Sequence, residues 1–329
     1  MQKVLITGAA GFIGSHIAEK LLTAGYKVVG VDNLSGSYSK RVYQYILNLL
    51  NKSSTFSFYN IDILNQNKLK AVFHKQNYDY LIHCAAKTGV RDSIKKPTEY
   101  FQTNVIGTLN LLEAIHRHRL NTKIVLLSSS SVYGKQAKTL FNEKMVLNPI
   151  SPYGFSKLHM ELIAKQYSNL YKIPIVIIRP FSIYGPRGRI DMAPFLLLKS
   201  VMTRKNFIQY GNNLNNQRDW TFIDDFVQII QNLLDRYQFK QLKIFNIGNS
   251  KPYGIEVFIE MASLIIKNDF NKEVLINKQK RPGIEMPIVC ADINKAKREL
   301  QYKPKISLSV GLKRFFDYYK KNKQLYLFY

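Results

Sequence analysis

The sequence has few cysteines for its length. Its 329 residues include only two, Cys84 and Cys290, which lie far apart and in no cluster with the spacing of metal ligands. This pattern argues against a disulfide framework and against a structural zinc site. The six histidines, with His116 and His118 close together, also lack further ligands at metal-binding spacing. We therefore expect two free thiols in a reducing compartment and no metal.

Long hydrophobic runs are also absent. No apolar stretch approaches the ~18 residues that a membrane span needs. A strand is expected from about residue 3, which leaves no room for a signal peptide. We expect a soluble, cytoplasmic protein without stable membrane insertion. The C-terminal stretch LKRFFDYYKKNKQLYLFY is either an amphipathic helix on a membrane surface or, more commonly for such a pattern, a helix packed on the protein.

Acidic residues are outnumbered by basic ones. The chain has 48 Lys and Arg against 22 Asp and Glu, a formal net charge of +26. A strongly basic protein suits nucleic acid, an anionic membrane surface or an acidic ligand. The lysines are spread over every segment and form no single block, so we expect no nucleic-acid partner. An anionic small-molecule substrate fits the same charge.

Short β-rich runs alternate with helical patterns along the chain. The predicted strands are KVLITG, KVVGVDN, FSFYNID, YLIHCAA, IVLLSSS, PIVIIRPF and KIFNIGN. Such alternation indicates an α/β fold, a Rossmann-type doubly wound parallel sheet with helices on both faces. We predict a first domain over residues 1–180, rejoined by about 219–249. Residues 181–218 and 250–329 are expected to form a smaller α/β substrate-binding lobe.

Three glycines connect the first predicted strand to the first predicted helix. Gly8, Gly11 and Gly14 have the spacing G-x-x-G-x-x-G. Glycine removes side-chain bulk where backbone amides approach a pyrophosphate at a helix N-terminus. The next strand ends in Asp32, about 20 residues on, where a carboxylate accepts hydrogen bonds from both ribose hydroxyls and repels a 2′-phosphate. The pattern predicts a dinucleotide site that prefers NAD to NADP.

Two further strand ends supply candidate cofactor contacts. Asp62 follows the third strand, where a side chain can reach the adenine edge, although an ordinary helix N-cap explains this residue equally well. Ala85 and Ala86 follow the fourth strand and are small enough to lie beside a cofactor. The adjacent Cys84 is predicted to be a packed thiol, because no His and carboxylate pattern accompanies it.

A tyrosine and a lysine lie one helical turn apart in SPYGFSK. They are Tyr153 and Lys157. A buried ammonium beside a phenol favours phenolate and lowers the tyrosine pKa, so that the phenolate can take a proton from a substrate hydroxyl. Spacing alone is poor evidence, since Tyr319 and Lys323 share it with no cofactor motif nearby. The order of glycine cradle, acidic strand end, serine-rich SSSSVYG and Tyr-x-x-x-Lys favours the first pair.

Together these motifs resemble the extended short-chain dehydrogenase/reductase family, which contains NAD-dependent nucleotide-sugar epimerases and dehydratases. The resemblance covers nearly the whole chain, including RPFSIYGPRGRIDMAPF, RDWTFIDD and RPGIEMPIVCADINKAKRELQYKP. Within the family, AAKTGVRDS and YGPRGRIDMAPF are most similar to UDP-glucuronate 4-epimerases. The resemblance implies NAD as cofactor, a UDP-sugar as substrate and a homodimer.

The resemblance also implies roles for individual residues. Tyr153 is the base and acid, Lys157 is its partner, and Ser129 supplies the hydroxyl that hydrogen-bonds the reacting oxygen. Tyr153 and Lys157 are implied to contact the cofactor as well. The remaining cofactor contacts that the resemblance implies are Phe12, Ile13, Asn33 and Ile63.

The chain departs from the family pattern at two places. Dehydratases carry Thr-Asp-Glu where this chain has Ser129, Ser130 and Ser131. The acid and base that water elimination needs are therefore missing, which argues against a 4,6-dehydratase. Near the C-terminus, the usual RPGD motif has Ile284 in place of its acid.

These assignments predict the 4-epimerisation of a UDP-sugar. Tyr153 takes the proton of the 4-hydroxyl while hydride leaves carbon 4 for NAD, the 4-keto sugar rotates, and hydride returns to the opposite face. With UDP-glucuronate the intermediate is a β-keto acid, which loses carbon dioxide unless its carboxylate is held. Neutral hydroxyls for that purpose are present at Ser129, Ser130, Ser131 and Ser182. Alternatively, the serines only terminate a strand and satisfy backbone groups.

Four arginines are candidate contacts for the UDP-sugar. Arg189, Arg218 and Arg281 resemble the family's diphosphate contacts, although Arg189 beside Asp191 can instead form a structural ion pair. Arg91 either reaches the phosphates of one of the ligands or caps a loop.

Other functions share most of these features. A UDP-glucose or UDP-N-acetylhexosamine 4-epimerase and a UDP-glucuronate decarboxylase would have the same fold, NAD and Tyr153. The serine cluster is the only sequence feature that separates them from a UDP-glucuronate 4-epimerase. A catalytically silent NAD-sensing or nucleic-acid-binding module would have lost Tyr153 or Lys157, and both are present.

Overall fold

The computed structural model of the chain describes residues 1–74, 76–118, 120–280, 283 and 286–326. The chain divides into two compact units. The first unit comprises residues 1–136, 143–180 and 227–246, and the second comprises residues 137–142, 181–226 and 247–329.

The described residues form the following strands and α-helices, and each of the two sets is given in chain order. The strands are β1 (Lys3–Thr7), β2 (Lys27–Asp32), β3 (Phe56–Asn60), β4 (Tyr80–His83), β5 (Lys123–Leu127), β6 (Leu140–Phe141), β7 (Ile175–Pro180), β8 (Ile183–Tyr184), β9 (Phe207–Tyr210), β10 (Gln217–Asp219), β11 (Thr221–Phe222), β12 (Lys243–Ile247), β13 (Pro252–Gly254), β14 (Ile276–Gln279) and β15 (Ile288–Ala291). The α-helices are α1 (Phe12–Thr23), α2 (Lys40–Leu50), α3 (Gln66–His74), α4 (Val90–Lys95), α5 (Pro97–Phe101), α6 (Gly107–Arg117), α7 (Pro152–Tyr171), α8 (Ala193–Met202), α9 (Ile223–Arg236), α10 (Ile255–Phe270), α11 (Asn294–Leu300) and α12 (Leu308–Lys321).

The first unit is built on a seven-stranded parallel sheet in the order β12-β7-β5-β4-β1-β2-β3. Strands β1, β5 and β7 are buried along almost their whole length, which is the pattern of a sheet covered on both faces. The predicted α/β fold with a Rossmann-type sheet is confirmed. Because the strand order reverses between β1 and β4, the loops after these two strands lie side by side at the carboxyl edge.

Apolar side chains fix the helices of the first unit on this sheet. Leu5, Leu126 and Ile177 of three strands are at most 1% exposed and share one core cluster with Leu111 of α6 and Met160 of α7. Burial of each such side chain contributes about 1.5–3 kcal/mol. This packing fixes α7 against the carboxyl end of β5.

The second unit contains a four-stranded sheet in the order β13-β10-β15-β6 and two strand pairs, β8 with β11 and β9 with β14. Helix α12 carries the aromatic part of the C-terminal stretch, and its Leu312, Phe315, Phe316 and Tyr319 are buried. The described part of this stretch is therefore a packed helix followed by a short 3₁₀ turn. In the described part of the chain, no helix combines the length and apolar character needed to cross a membrane.

Candidate active site

The loop between β1 and α1 requires glycine at two positions. Gly8 has a φ of +70°, and a Cβ atom there would lie 2.7 Å from the backbone nitrogen of Ala85. A Cβ atom at Gly14 would overlap the carbonyl oxygen of Gly8. Side chains are thus excluded from the start of α1, where backbone amides point out of the helix. The residues present fit a dinucleotide pyrophosphate.

Asp32 ends β2 and is tied to the same loop. Its Oδ2 atom accepts a hydrogen bond from the backbone N–H of Ala10 at 3.0 Å, and its Oδ1 atom accepts one from Leu34 at 2.8 Å. Burial raises the pKa of Asp32, and these backbone donors oppose that rise. The predicted ribose acceptor therefore lies directly beside the glycine loop.

Asp62 is hydrogen-bonded to a residue that follows Asp32. Asn33 donates through Nδ2 to the Oδ2 atom of Asp62 at 2.8 Å. Helix α3 begins at Gln66, and Asn65 rather than Asp62 accepts the hydrogen bond from the backbone N–H of Lys68. The helix-capping explanation of Asp62 is therefore wrong, and its contact with adenine stays a prediction.

The other predicted cofactor residues lie along the same edge of the sheet. Phe12 and Ile13 begin α1, with Phe12 buried and Ile13 half-buried. Ile63 is buried and contacts the position where Gly107 begins α6. Cys84 precedes Ala85 and Ala86, and burial raises the pKa of its thiol to about 12. Cys84 therefore carries a protonated thiol, as predicted for a packed cysteine.

Helix α7 begins with residues suited to a helix N-terminus. Ser151 is the N-cap and accepts a hydrogen bond from the backbone N–H of Gly154 at 3.1 Å, and Pro152 occupies the first turn. A Cβ atom at Gly154 would lie 2.6 Å from the carbonyl oxygen of Ser131. Because Gly154 lacks one, the helix packs closely against the serine-rich turn with Tyr153 at the contact.

Tyr153 and Lys157 lie on consecutive turns of α7, and both are buried, with 8% and 3% exposure. The ring of Tyr153 packs edge to face on Tyr100 at 6.1 Å. The Nζ atom of Lys157 donates to the carbonyl oxygen of Leu127 at 2.7 Å. Burial lowers the pKa of Lys157 to about 8. The lysine is thus fixed at the carboxyl end of β5, next to the serines.

The four serines after β5 have different environments. Ser128 is buried and donates to Oε1 of Glu161 at 2.5 Å. Ser129 is 8% exposed and accepts a hydrogen bond from the backbone N–H of Ser131 at 3.1 Å, which begins a short 3₁₀ helix, Ser130–Val132. Ser130 and Ser131 are half-buried. The hydroxyl of Ser128 is therefore engaged by Glu161, and local backbone satisfaction accounts for one lone pair of Ser129.

A buried ion pair beneath these serines was not predicted from the sequence. The guanidinium of Arg179 donates to both carboxylate oxygens of Glu161, at 2.9 and 2.7 Å, and both side chains are at most 5% exposed. Arg179 also donates to the hydroxyl of Tyr133 at 3.0 Å, and that hydroxyl donates to Asn246 at 2.7 Å. The signal that could have found it is Glu161, which lies one turn after Lys157 on α7.

The predicted arginine ligands lie in different places. Arg218 is on β10 of the second unit and donates through one nitrogen to the carbonyl oxygens of Gln217 at 2.9 Å and Pro287 at 3.3 Å. In the same unit, Arg189 forms a two-pronged ion pair with Asp191, as the structural alternative predicts.

The remaining predicted substrate contacts are placed as follows. Arg91 is exposed in the first turn of α4 in the first unit. Ser182, in the second unit, has a φ of +33°. Arg281 and Ile284 lie outside the described residues.

A buried carboxylate next to Arg218 was also missed. Asp219 is fully buried and accepts hydrogen bonds from the backbone N–H groups of Asn249, Ser250 and Ala291 at 2.7–2.9 Å. It thereby ties β10, which carries Arg218, to the loop after β12 and to β15. The sequence offers only the acidic residue after Arg218 as a signal.

Comparison with known proteins identifies the family. Residues 5–315 match the family described as GDP-mannose 4,6 dehydratase. The chain belongs to this family. Membership of the GDP-mannose 4,6 dehydratase family confirms the resemblance to nucleotide-sugar epimerases and dehydratases. The serines at 129–131 nevertheless separate this chain from the Thr-Asp-Glu pattern of the dehydratase members.

Individual relatives are similar over the full length of the chain. A UDP-glucuronate 4-epimerase of Thermodesulfobacterium geofontis is 38% identical over 322 residues, covering 98% of this chain and 97% of that protein. The crystal structure of a UDP-glucuronic acid 4-epimerase from Bacillus cereus, in complex with UDP-glucuronic acid and NAD, has a TM-score of 0.90 at 35% identity and covers 98% of this chain and 100% of that chain. A UDP-glucose 4-epimerase of Thermotoga maritima with UDP-glucose has a TM-score of 0.86 at 28% identity, covering 98% and 100%.

Proposed function

We propose that the protein is an NAD-dependent UDP-glucuronate 4-epimerase, which interconverts UDP-glucuronate and UDP-galacturonate through a 4-keto intermediate. The observation that carries this proposal is helix α7, which holds the buried Tyr153 and Lys157 against a turn of serines. The relatives from T. geofontis and B. cereus are both UDP-glucuronate 4-epimerases, and the latter binds NAD. The serine turn is the feature of this chain that fits a uronate rather than a dehydratase substrate.

The first unit would hold NAD at the carboxyl edge of its sheet. Gly8, Gly11 and Gly14 leave room for the pyrophosphate, and Asp32 lies beside them as acceptor for the adenosine ribose. Further contacts would come from Phe12, Ile13, Asn33, Asp62, Ile63, Ala85 and Ala86. Bound there, NAD would supply a reversible hydride acceptor for carbon 4 of the sugar.

Tyr153 moves the proton of the sugar 4-hydroxyl. It takes this proton as the 4-keto sugar forms and gives it back when the alcohol is restored. The ammonium of Lys157, held by the carbonyl of Leu127, favours the phenolate form of the tyrosine. Ser129 has one lone pair engaged by Ser131 and donates its hydroxyl hydrogen to the reacting oxygen.

Ser130 and Ser131 hold the carboxylate of the 4-keto intermediate. This intermediate is a β-keto acid, and it loses carbon dioxide when the breaking bond aligns with the ketone π-system. The two half-buried hydroxyls donate neutral hydrogen bonds that keep the carboxylate out of that alignment. Ser182 of the second unit is proposed as a further donor, on the evidence of the sequence alone.

The second unit is proposed to bind the UDP moiety. Arginine suits a diphosphate because its guanidinium presents paired donors. Arg218 is supported best, since Asp219 fixes the strand that carries it. Arg189 already forms an ion pair with Asp191, so it can bind the diphosphate only if this ion pair breaks or if its guanidinium contacts both groups. Arg281 and, from the first unit, Arg91 remain proposals from the sequence.

We also propose that the protein is a cytoplasmic homodimer. The two cysteines are free thiols, as in a reducing compartment. Phe155, Leu162 and Leu170 are 43%, 52% and 61% exposed and follow one face of α7. A second copy of the chain would cover this face. Light scattering should give a dimer for the parent protein and a monomer for Leu162→Asp.

The substrate proposal is tested with two substrates. The purified protein is incubated separately with UDP-glucuronate and UDP-glucose, and the products are separated by anion exchange and identified by NMR of the sugar. UDP-galacturonate as the main product, with UDP-pentose as a trace at most, supports the proposal. Conversion of UDP-glucose alone would show a neutral-sugar epimerase, and UDP-pentose as the main product would show a decarboxylase.

A further inference from the structure

His83 is a buried histidine for which the proposed mechanism has no use. It ends β4 and is 2% exposed. Its Nδ1 atom lies 2.7 Å from Oγ1 of Thr7 on β1, and its Nε2 atom lies 2.9 Å from Oγ1 of Thr108 on α6. Both ring nitrogens are therefore engaged by side chains from two different elements.

The hydrogen bonds around His83 have a defined direction. The hydroxyl of Thr108 donates to the carbonyl oxygen of Asn104 at 2.6 Å, so it accepts from Nε2–H of the ring. The other nitrogen, Nδ1, then accepts the hydroxyl hydrogen of Thr7. The oxygen of Thr7 in turn accepts the backbone N–H of Ala85 at 3.3 Å. This arrangement needs a neutral ring with its proton on Nε2.

The environment keeps the His83 ring neutral. Burial lowers the pKa of His83 to about 3, and the nearby charge of Lys157 acts in the same direction. Near neutral pH, Nδ1 is thus an acceptor and Nε2 a donor. The histidine cannot be replaced here by a side chain that only donates or only accepts.

One end of this chain of hydrogen bonds lies at the proposed NAD loop. The backbone nitrogen of Ala85 is the atom that a side chain at Gly8 would meet at 2.7 Å. By accepting from Ala85, Thr7 fixes the distance between the loop after β1 and the loop after β4. Nδ1 of His83 accepts the hydroxyl hydrogen of Thr7 and thereby leaves the lone pairs of this oxygen free to accept from Ala85.

The other end lies at the catalytic helix. Residues 102–106 form a π-helical turn, and Asn104 within it is fully buried. Its side chain accepts the backbone N–H of Lys87 at 2.8 Å and donates to the carbonyl of Lys87 at 3.0 Å and to the hydroxyl of Ser156 at 2.8 Å. Ser156 donates to the carbonyl of Tyr153 at 2.8 Å. Thr108 accordingly stabilises the turn that connects to Tyr153.

We propose that His83 is a positioning residue for two elements: Nδ1, through Thr7, positions the NAD loop, and Nε2, through Thr108, positions the helix of Tyr153. A π-helical turn at a functional element often has such a role. The proposal rests on the proposed function for its turnover measurements. Its NAD-binding measurements do not depend on the identity of the sugar.

Two substitutions of His83 each remove the hydrogen bond of one ring nitrogen and keep that of the other. In His83→Asn the amide oxygen takes the place of Nδ1 and keeps the bond from Thr7, while the bond to Thr108 is lost. In His83→Gln the amide nitrogen takes the place of Nε2 and keeps the bond to Thr108, while the bond from Thr7 is lost. The pair is therefore a matched set in which each variant is the control for the other.

The two variants should have opposite effects. For His83→Asn we expect kcat at saturating NAD to fall about tenfold while the Kd for NAD changes less than about twofold. For His83→Gln we expect the Kd for NAD to rise about tenfold while kcat at saturating NAD changes less than about twofold. Kd is measured by fluorescence titration of the full-length chain with NAD, and kcat by conversion of UDP-glucuronate.

A second set of variants keeps the test valid if changes at His83 prevent folding. Thr108→Val should reproduce the kcat loss and Thr108→Ser should restore activity, while Thr7→Val should weaken NAD binding alone. If all these variants change kcat and the Kd for NAD by equal factors, or change neither, the separate roles of the two ring nitrogens are overturned. If the parent chain binds NAD but does not convert UDP-glucuronate, the proposed function fails, and the contrast in NAD affinity still decides the role of Nδ1.

Discussion

The chain contains two Tyr-x-x-x-Lys pairs, and their surroundings differ. Tyr153 and Lys157 lie within the continuous helix α7, and Lys157 is 3% exposed. Tyr319 lies in α12, but that helix ends at Lys321, and Lys323 falls in a separate 3₁₀ turn with an exposed side chain. The same spacing thus places two groups on one helix face in the first case and not in the second.

The second tyrosine also has a different partner. The hydroxyl of Tyr319 donates to the carbonyl oxygen of Gly188 at 3.3 Å, and its ring packs on Phe195, Phe315 and Tyr326 with centroids 4.6–5.3 Å apart. It is a core residue of the second unit. One helix carries both Tyr153 and Lys157, and the lysine is buried, as the proposed catalytic pair requires, whereas the second pair has neither property.

Removal of the two phenol hydroxyls should give the largest contrast. Tyr153→Phe deletes the proposed acid and base, so kcat for UDP-glucuronate should fall by about 10²–10⁴. Tyr319→Phe deletes only a hydrogen bond to a carbonyl and should leave kcat within about twofold. Initial rates of both variants, with circular dichroism to verify folding, provide the measurement. Equal losses of kcat in the two variants would contradict the assignment of Tyr153.

Helices α7 and α12 each carry one acid of an ion pair, and loss of the two pairs should change the free energy of unfolding by different amounts. Glu161→Gln leaves Arg179 buried without its counter-charge, so the free energy of unfolding should drop by about 3–5 kcal/mol. The matched change Asp317→Asn breaks the exposed pair with Lys313 and should cost about 0–1 kcal/mol. Urea unfolding of both variants measures the difference. A cost for Glu161→Gln no larger than that for Asp317→Asn would show that the buried pair is not needed.

The pH dependence of turnover should report the buried lysine. Because burial lowers the pKa of Lys157 to about 8, its ammonium is present below that pH and is lost above it. We expect kcat to fall as pH rises through about 8, approaching tenfold per unit at higher pH. In Lys157→Arg the cation does not titrate, so this descending limb should disappear. Lys323→Met should leave the profile of the parent protein, and a change in its limb would contradict the assignment.

The serines should affect the product more than the rate. In Ser130→Ala and Ser131→Ala the carboxylate of the intermediate loses a donor worth about 1 kcal/mol, which corresponds to an increase of about fivefold in the share of UDP-pentose. Ser309→Ala, which changes an exposed serine in the first turn of α12, is the control. NMR of the products after complete turnover measures this share. An unchanged share in both variants would show that these serines only shape the turn.

The sequence predicted those parts of the site that local patterns encode. The glycine loop, Asp32 and the Tyr153 helix follow from spacing and strand order, and the sheet follows from buried apolar runs that alternate with helices. For Asp62 the sequence left two explanations open, because it could not show that Asn65 caps α3.

The missed residues share one property. His83, Glu161, Arg179 and Asp219 act through partners that are distant in the chain, and each partner is brought close only by the fold. A histidine at a strand end and an acid on a helix are too common to be identified by type or spacing. Buried polar networks of this kind become visible only when the hydrogen bonds of each group are counted.

In the proposed mechanism, Tyr153 and NAD oxidise carbon 4 and then restore it. The most direct test is turnover of UDP-glucuronate in deuterated water, followed by NMR of the sugar carbons. We expect UDP-galacturonate with no deuterium on carbon 4, because the hydrogen removed from carbon 4 returns to carbon 4. Deuterium at carbon 4 of the product would show that the hydrogen of carbon 4 exchanges with solvent, which would contradict its transfer to NAD and back.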